Sequence, residues 1–281
     1  MGVATMNENQ VVSTSVGQLS VRLLGSGHPA VLWHSLFVDE RSWGRMVPEL
    51  QAHRRLVVIT GPGHGDSTDP GRRYSNEECA EAAVEVLDAL GIEEPVDWVG
   101  NAWGGHVGIT LAATRPDRCR SLVALGTPVA ALTPQERTRT WLLLGVYSLL
   151  GPTTMVVDGV INTLLSEHTR SHDPEAVELV RECLLTANRR RLSNAVVSVS
   201  LRRSDLAGEL DRLTQPTLIV TAADHAGFTP DQARAVGRRV RDCRVGIVPD
   251  AAYLVPLEAP QVTASQVLEF WDALDQRREA A

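Results

Sequence analysis

Apolar and polar positions follow two spacings along this chain, and the order of those spacings predicts the architecture. Residues 11–15 and 19–24 alternate apolar and polar side chains, as the two strands of an antiparallel hairpin do. Helical periodicity covers 76–90, with Ser75 as the expected N-cap. Six short apolar runs predict strands: 29–33, 56–59, 96–99, 121–125, 217–220 and 245–248, of which 56–59 and 121–125 are typical of buried strands. Strands alternating with helices predict an α/β fold, with a mostly parallel, twisted sheet covered by helices on both faces.

The alternation of strands and helices is interrupted between residues 131 and 204. This stretch has the pattern of successive helices and contains no apolar run typical of a buried strand. We therefore expect one α/β core built from 1–130 and 205–281, with 131–204 as a helical insert that does not fold independently. A chain of 281 residues with 43% hydrophobic residues suits one large α/β domain of this kind.

Composition excludes several classes of function. The net charge of −7 argues against a nucleic-acid partner. All 27 basic residues are arginines, which excludes a Schiff base on lysine. The sequence has neither a phosphate- or dinucleotide-binding glycine motif nor a histidine cluster with metal-ligand spacing, so we expect no cofactor and no metal. No apolar run reaches the roughly 18 residues of a membrane span. The sequence shows no secretory signal, and its four cysteines are dispersed, so we expect a cytoplasmic protein without a membrane partner. A homodimer remains an open alternative.

Residues 99–106, Val-Gly-Asn-Ala-Trp-Gly-Gly-His, join a predicted strand directly to a predicted helix. This segment resembles the nucleophile elbow, G-x-S-x-G, of the α/β-hydrolase superfamily. The glycines suit a strained turn that tolerates no Cβ. Ala102 stands where the superfamily has its nucleophile, and a methyl group cannot attack a carbonyl carbon. The elbow is similar to those of meta-cleavage-product hydrolases, enol-lactonases and related esterases.

Three further motifs follow the order of the same superfamily. His34-Ser35 resembles the H-G pair that precedes the oxyanion loop, and 61–67 resembles the G-x-G-x-S loop. The segment 249–260 is similar to the one that carries the catalytic histidine. The resemblance implies an α/β-hydrolase fold in which 131–204 is the cap.

The resemblance also assigns roles to individual positions. Asp224, after the strand at 217–220, occupies the position of the triad acid, and Tyr253 occupies that of the histidine. The oxyanion hole would use the backbone N–H groups of Leu36 and Trp103. All eight histidines lie at or before His225, which we expect to be exposed, so the last loop supplies no imidazole. The implied Ser-His-Asp triad is therefore degenerate.

Each remaining candidate has a structural and a chemical interpretation. His34 ends a predicted strand, where it either holds the loop or takes part in chemistry. His106 follows Ala102 by four residues on the same helix face, so it either points at the pocket floor or is a satisfied buried histidine. Tyr253 either transfers a proton or packs as an aromatic ring, and Asp224 either serves catalysis or holds a loop. Arginines at 189–191, 202 and 203 either attract an anion or form a solvated face.

Three functions remain open at this point, and all involve a small, fairly apolar carbonyl compound bound between core and cap. The first is a non-hydrolytic enzyme of lyase, isomerase or cyclase type that uses proton transfer and the oxyanion hole. The second is a serine ester, lactone or C–C bond hydrolase that carries inactivating substitutions at 102 and 253. The third is a ligand-binding protein without catalysis.

Overall fold

The computed structural model describes residues 6–280, and eight strands form one sheet in the order β1-β2-β4-β3-β5-β6-β7-β8. The ends of the predicted core, residues 1–5 and 281, lie outside the described residues. The strands are β1 (Met6–Thr14), β2 (Gly17–Gly25), β3 (Pro29–Trp33), β4 (Arg55–Ile59), β5 (Val96–Asn101), β6 (Cys119–Leu125), β7 (Thr217–Ala222) and β8 (Cys243–Val248). β1 and β2 form the predicted hairpin, and β2 joins β4 in antiparallel orientation. All pairings from β4 through β8 are parallel, so the predicted mostly parallel sheet is confirmed.

Helices connect the strands and cover both faces of the sheet. They are α1 (Val47–Leu50), α2 (Asn76–Ala89), α3 (Trp103–Thr114), α4 (Pro134–Leu150), α5 (Thr154–Leu164), α6 (Glu167–His172), α7 (Pro174–Thr186), α8 (Arg189–Ala195), α9 (Ala207–Leu210), α10 (Pro230–Gly237), α11 (Val255–Glu258) and α12 (Pro260–Glu279). Short 3₁₀ helices span Glu40–Trp43 and Pro116–Arg118, and a π-helical turn spans Val196–Leu201. Ser75 caps α2 as predicted: its side chain accepts from Glu78 N while the Glu78 carboxylate accepts from Ser75 N.

The buried side chains divide into two layers because neighbouring residues on a strand point to opposite faces. On β3, Val31 and Trp33 pack in the layer that includes α2, α3 and the helices after β6. Leu32, between them, packs in the opposite layer with residues of α1 and α12, such as Leu50 and Trp271. The sheet is therefore covered on both faces, as the continuous apolar runs predict.

The chain between β6 and β7 contains the run of helices predicted from the sequence. We call α4 to α8 together with the π-helical turn, residues 134–201, the helical insert. Its buried side chains, among them Val160, Val180 and Leu192, belong to the same apolar layer as the core residues under α2 and α3. Within residues 6–280, no helix is long and apolar enough to cross a membrane.

Candidate functional site

The elbow, the turn between the strand and the helix, consists of a single residue. β5 ends at Asn101, α3 begins at Trp103, and Ala102 between them has φ 49° and ψ −100°. A non-glycine residue at positive φ is strained and commonly marks a functional turn. The Ala102 N–H donates to Leu125 O at 2.8 Å, and Ala102 O accepts from His106 N at 3.0 Å. The turn thus has the predicted strand-to-helix geometry, with a methyl group at its centre.

The elbow glycines serve close packing rather than backbone strain, which corrects the sequence-based expectation. The positive φ belongs to Ala102, and Gly100, Gly104 and Gly105 do not share it. A Cβ at Gly100 would lie 2.1 Å from Gly104 O, and one at Gly104 would lie 2.0 Å from Trp33 O. At Gly105 a Cβ would lie 1.9 Å from the Thr127 hydroxyl oxygen. Only glycine lets β3, β5 and α3 approach this closely.

Two backbone N–H groups beside the elbow have no partner within the described chain. Neither the Leu36 N–H nor the Trp103 N–H donates to a protein atom of residues 6–280. Their segments are held together, since Gly104 N donates to His34 O at 3.2 Å and the His34 ring lies 5.5 Å from the Trp103 ring. Unpaired N–H groups on adjacent rigid segments can bind a carbonyl oxygen.

His34 is fixed as a neutral ring by two hydrogen bonds. Its Nδ1 donates to Ser35 O at 2.8 Å, while Nε2 accepts the N–H of Gly61, also at 2.8 Å. The first bond requires a hydrogen on Nδ1 and the second requires a lone pair on Nε2. Complete burial, the largest cause, lowers the pKa of the His34 imidazole further. His34 therefore holds the oxyanion loop against the 61–67 loop, with both nitrogens already used.

The 61–67 loop is tied to the oxyanion loop a second time. His64 lies with its ring 4.9 Å from that of His34, and its Nε2 donates to Leu36 O at 2.5 Å. Burial, followed by the neighbouring His34, lowers the pKa of His64 to about 4. The Trp103 ring packs against both histidines and donates from Nε1 to Asn76 Oδ1 at 3.2 Å. These contacts orient the loop that carries the Leu36 N–H.

His106 behaves as a buried structural histidine. Its Nε2 donates to Pro128 O at 2.8 Å, and its Nδ1 is buried without a partner among the described residues. Burial, with a smaller contribution from the charge of Arg203, lowers the pKa of His106 to about 3. The ring is therefore neutral at physiological pH and joins α3 to the segment after β6.

Tyr253 lies next to the elbow, at the position that the resemblance gives to the catalytic histidine. Asn101 Nδ2 donates to Tyr253 O at 2.9 Å and to Leu125 O at 3.0 Å, which ties the last loop to the residue before Ala102. A Cβ at Gly227 would lie 2.2 Å from the Tyr253 hydroxyl oxygen, so glycine leaves the space that the phenol occupies. Burial raises the pKa of Tyr253, and the phenol stays protonated at neutral pH.

His225 is the functional candidate that the sequence analysis missed, and its expected exposure is wrong. The side chain is 1% exposed, and its ring stacks on Tyr253 with a centroid separation of 3.7 Å and an interplanar angle of 35°. Its Nε2 donates to Gly126 O at 3.3 Å, while Nδ1 is buried without a partner in the described chain. Burial lowers its pKa to about 4. An imidazole therefore reaches this site from the loop after β7 rather than from the last loop.

Asp224 and His225 are adjacent in sequence but lie in different environments. Asp224 is exposed, and its carboxylate enters no hydrogen bond or ion pair with any residue from 6 to 280. Its backbone N–H donates to Ala251 O at 3.1 Å, which joins the two loops. The structure therefore does not bring the Asp224 carboxylate into contact with Tyr253. The residues around position 225 are apolar or small, so the sequence contains no pattern that predicts whether the side chain of Asp224 or that of His225 faces inward.

The helical insert encloses a small apolar cavity beside the oxyanion loop. Phe37, the residue after Leu36, forms one wall, and side chains of the insert such as Tyr147, Val160 and Leu192 form the others. The cavity volume is about 30 Å³, enough for a water molecule or two. The described residues contain no group of three or more His, Cys, Asp or Glu side chains arranged to hold a metal ion.

Comparison with known proteins supports the same fold. The family model described as alpha/beta hydrolase fold matches residues 25–164. The 2-hydroxymuconate semialdehyde hydrolase of Pseudomonas sp. (strain CF600) is 36% identical over 107 residues, which are 37% of this chain and 38% of that protein. The chain spans 38% to 63% of the length of three curated relatives, this hydrolase among them.

Two solved structures share the fold over nearly the whole chain. An esterase from Thermogutta terrifontis superposes with a TM-score of 0.88 at 23% identity, covering 95% of this chain and 98% of that one. The enol-lactonase of Burkholderia xenovorans LB400 gives a TM-score of 0.86 at 20% identity, covering 94% of this chain and 100% of that one. These two likenesses show the fold, and the match of residues 25–164 to the alpha/beta hydrolase fold model identifies the chain as a member of the α/β-hydrolase superfamily.

Proposed function

We propose that this protein is an enzyme that binds a small, fairly apolar carbonyl compound and transfers protons without hydrolysing it, as lyases, isomerases and cyclases do. The observation that carries the proposal is a pair of N–H groups, on Leu36 and Trp103, that have no partner among residues 6–280 and flank an elbow without a nucleophile. Tyr253 supplies a protonated phenol on the loop whose backbone carbonyl is bonded to Asn101, the residue before the elbow. The fold alone does not decide between these reaction types.

The chemistry follows from what each group can do. A substrate carbonyl oxygen accepts hydrogen bonds from the Leu36 and Trp103 N–H groups, which stabilise the enolate formed when a water molecule from solvent accepts a proton from the adjacent carbon. The Tyr253 hydroxyl, protonated at neutral pH, then donates a proton to that carbon, and solvent returns a proton to the phenolate. His225 positions the phenol through its stacking contact and stays neutral. Ala102 contributes only its small size, which leaves room above the turn for the bound carbonyl.

The main competing function is a hydrolase whose triad carries substitutions. Its support is the hydrolase activity named for relatives such as the semialdehyde hydrolase. The exposure of Asp224 speaks against it, because an imidazole at 253 would lack the carboxylate contact that orients a triad histidine. The test is the double variant Ala102→Ser, Tyr253→His with aryl esters and lactones. Hydrolysis at a rate well above that of the unaltered protein would favour the hydrolase.

The first prediction concerns proton transfer by Tyr253. In D₂O, the unaltered protein should catalyse deuterium incorporation next to the carbonyl group of at least one enolisable ketone or ester in a panel. Tyr253→Phe should lower that rate by about 10²–10⁴, the usual contribution of a positioned acid. Mass spectrometry of the recovered compounds measures the exchange.

Thr114→Val is the control, since it removes a hydroxyl that donates to Thr110 O at the end of α3 far from the elbow. Exchange in this variant should stay close to that of the unaltered protein. Saturable binding of a panel compound with no exchange and no product would show a binding protein instead. Equal exchange rates in Tyr253→Phe and Thr114→Val would remove the role assigned to Tyr253.

A further inference from the structure

A second, larger cleft lies where the helical insert meets the core. Its core wall is the loop from Asp69 to Arg73, and its insert wall is formed by α8 and the end of α4, which contributes Ser148. The cleft volume is about 720 Å³, far more than that of the apolar cavity beside Phe37. The proposed proton-transfer site does not use any of these residues.

This cleft is positively charged, whereas the molecule as a whole is negatively charged. The chain carries a net charge of −7, yet the cleft is lined by four arginines, two from the core and two from α8: Arg72, Arg73, Arg189 and Arg190. Asp69 is the acidic residue on the same wall, and its carboxylate already accepts from Asn194 Nδ2 at 2.8 Å. Arg72 pairs with Glu78 at 2.7 Å. Counted against the carboxylates of Asp69 and Glu78, the four guanidinium groups still leave an excess of about two positive charges at the cleft.

Neutral acceptors hold two of these guanidinium groups in place. Arg73 donates to Asn194 Oδ1 at 2.5 Å, and Arg189 donates to the carbonyl oxygens of Ser148 and Leu149, each at 3.3 Å. Arg190 makes neither a hydrogen bond nor an ion pair with a residue between 6 and 280. Hydrogen bonds to amide and carbonyl oxygens orient a guanidinium group without neutralising its charge. These side chains are therefore partly ordered in the unliganded protein, which lowers the entropy cost of binding an anion.

From this arrangement we infer that the cleft is a binding site for a phosphate-type oxyanion, either free or as the phosphate of a small ester. The planar fork of a guanidinium matches two phosphate oxygens, and Arg is the preferred partner of such groups in proteins. The Ser148 and Ser193 hydroxyls, 3.2 Å apart on α4 and α8, add neutral donors on the insert wall. The excess of positive charge that remains after Asp69 and Glu78 are counted favours a ligand with two or more negative charges over a single carboxylate.

The position of the site gives the anion an effect on the whole molecule. Arg72 and Arg73 belong to the core, whereas Arg189 and Arg190 belong to the insert. An anion held by both pairs links the two walls and stabilises the arrangement in which the insert lies against the core. Binding should therefore raise the melting temperature of the protein with increasing anion concentration.

The test is calorimetric titration of the full chain with inorganic phosphate and pyrophosphate at constant ionic strength. We expect pyrophosphate to bind more tightly than phosphate, with a dissociation constant below 1 mM, on the order expected for several charge-assisted bonds. The double variant Arg73→Gln, Arg190→Gln should weaken binding at least tenfold. Arg212→Gln, a change at an exposed arginine that does not line the cleft, is the matched control and should bind like the unaltered protein.

Two results would overturn the inference. One is that neither phosphate nor pyrophosphate binds at 10 mM. The other is that anion binding is weakened equally in the double variant and in Arg212→Gln. Vesicles with and without an anionic phospholipid form a separate arm of the test. Binding to anionic vesicles without binding of free pyrophosphate would replace the small-anion site by a lipid-headgroup site. The readout is independent of catalysis, so its failure leaves the proposed proton transfer untouched.

Discussion

At the residue scale, Ala102 has the backbone strain typical of a nucleophile position but lacks the nucleophile. Its φ of 49° with ψ of −100° lies outside the regions that side chains other than glycine adopt readily. Such strain costs on the order of 1–3 kcal/mol and is maintained by the surrounding contacts, here the bond from Ala102 N to Leu125 O. The geometry of the turn is thus set by packing of β5 and α3 rather than by the residue at its centre.

This strain leads to a prediction about stability. Ala102→Gly should raise the free energy of unfolding by about 1 kcal/mol, because relief of strain exceeds the added entropy of the unfolded chain. Urea denaturation measures the difference. Ala113→Gly, inside α3, is the control and should lower the free energy of unfolding by about 1 kcal/mol. A loss of stability in both variants would show that the turn is not strained.

At the scale of elements, the loop that carries Tyr253 is anchored to the helical insert. Glu258, at the end of α11, accepts from the N–H groups of Ala252 and Leu254 through Oε1. Its other oxygen accepts from Ser166 N at 2.7 Å and from the Thr169 hydroxyl at 2.9 Å, both at the start of α6. One carboxylate therefore fixes the last loop and the insert relative to each other.

Replacing that carboxylate by an amide should loosen both elements. Glu258→Gln removes one acceptor oxygen and leaves two N–H or O–H donors unpaired, which should cost about 2 kcal/mol of unfolding free energy. It should also slow the deuterium exchange assigned to Tyr253. Glu269→Gln, whose carboxylate bonds only the exposed Ser265 hydroxyl within the described chain, is the control. Equal stability of the two variants would contradict the anchoring role.

At the scale of the whole molecule, buried histidines set the dependence of stability on pH. The pKa is about 3 for His106 and about 4 for His64 and His225, against 6.5 for an unperturbed histidine. Desolvation is the first cause in each case. Between pH 6.5 and 4 the unfolded chain therefore binds more protons than the folded one, and stability falls as the pH falls.

The predicted loss is up to about 1.4 kcal/mol per pH unit for each of these histidines, beginning near pH 6.5. Thermal denaturation at pH 7, 6 and 5 measures it. His106→Gln keeps a donor for Pro128 O and removes the titrating group, so its stability should fall less steeply with acidification. The exposed His53→Gln should leave the slope as it is in the unaltered protein. Identical slopes in all three proteins would exclude His106 as a contributor.

The sequence predicts the strands, the hairpin, the Ser75 cap and the α/β-hydrolase fold because each rests on local periodicity or an ordered motif. It does not predict which side chain of Asp224 and His225 turns inward, since that depends on the contact of one loop with Gly126 and Tyr253. The fixed tautomer of His34 is also beyond sequence reasoning, because its partner Gly61 is 27 residues away. Of the three candidates named from the sequence, His34 and His106 are held as neutral structural histidines, and we therefore propose Tyr253 as the proton donor.

The small size of the cavity beside Phe37 has a kinetic consequence. With only about 30 Å³ accessible to water, the cavity is narrow for an organic carbonyl compound while the insert lies as it does in this structure. A ligand that enters there must wait for the insert to move, so association contains a step that does not depend on ligand concentration. In a stopped-flow experiment the observed binding rate then rises with concentration and levels off at the rate of that opening, far below the limit set by diffusion.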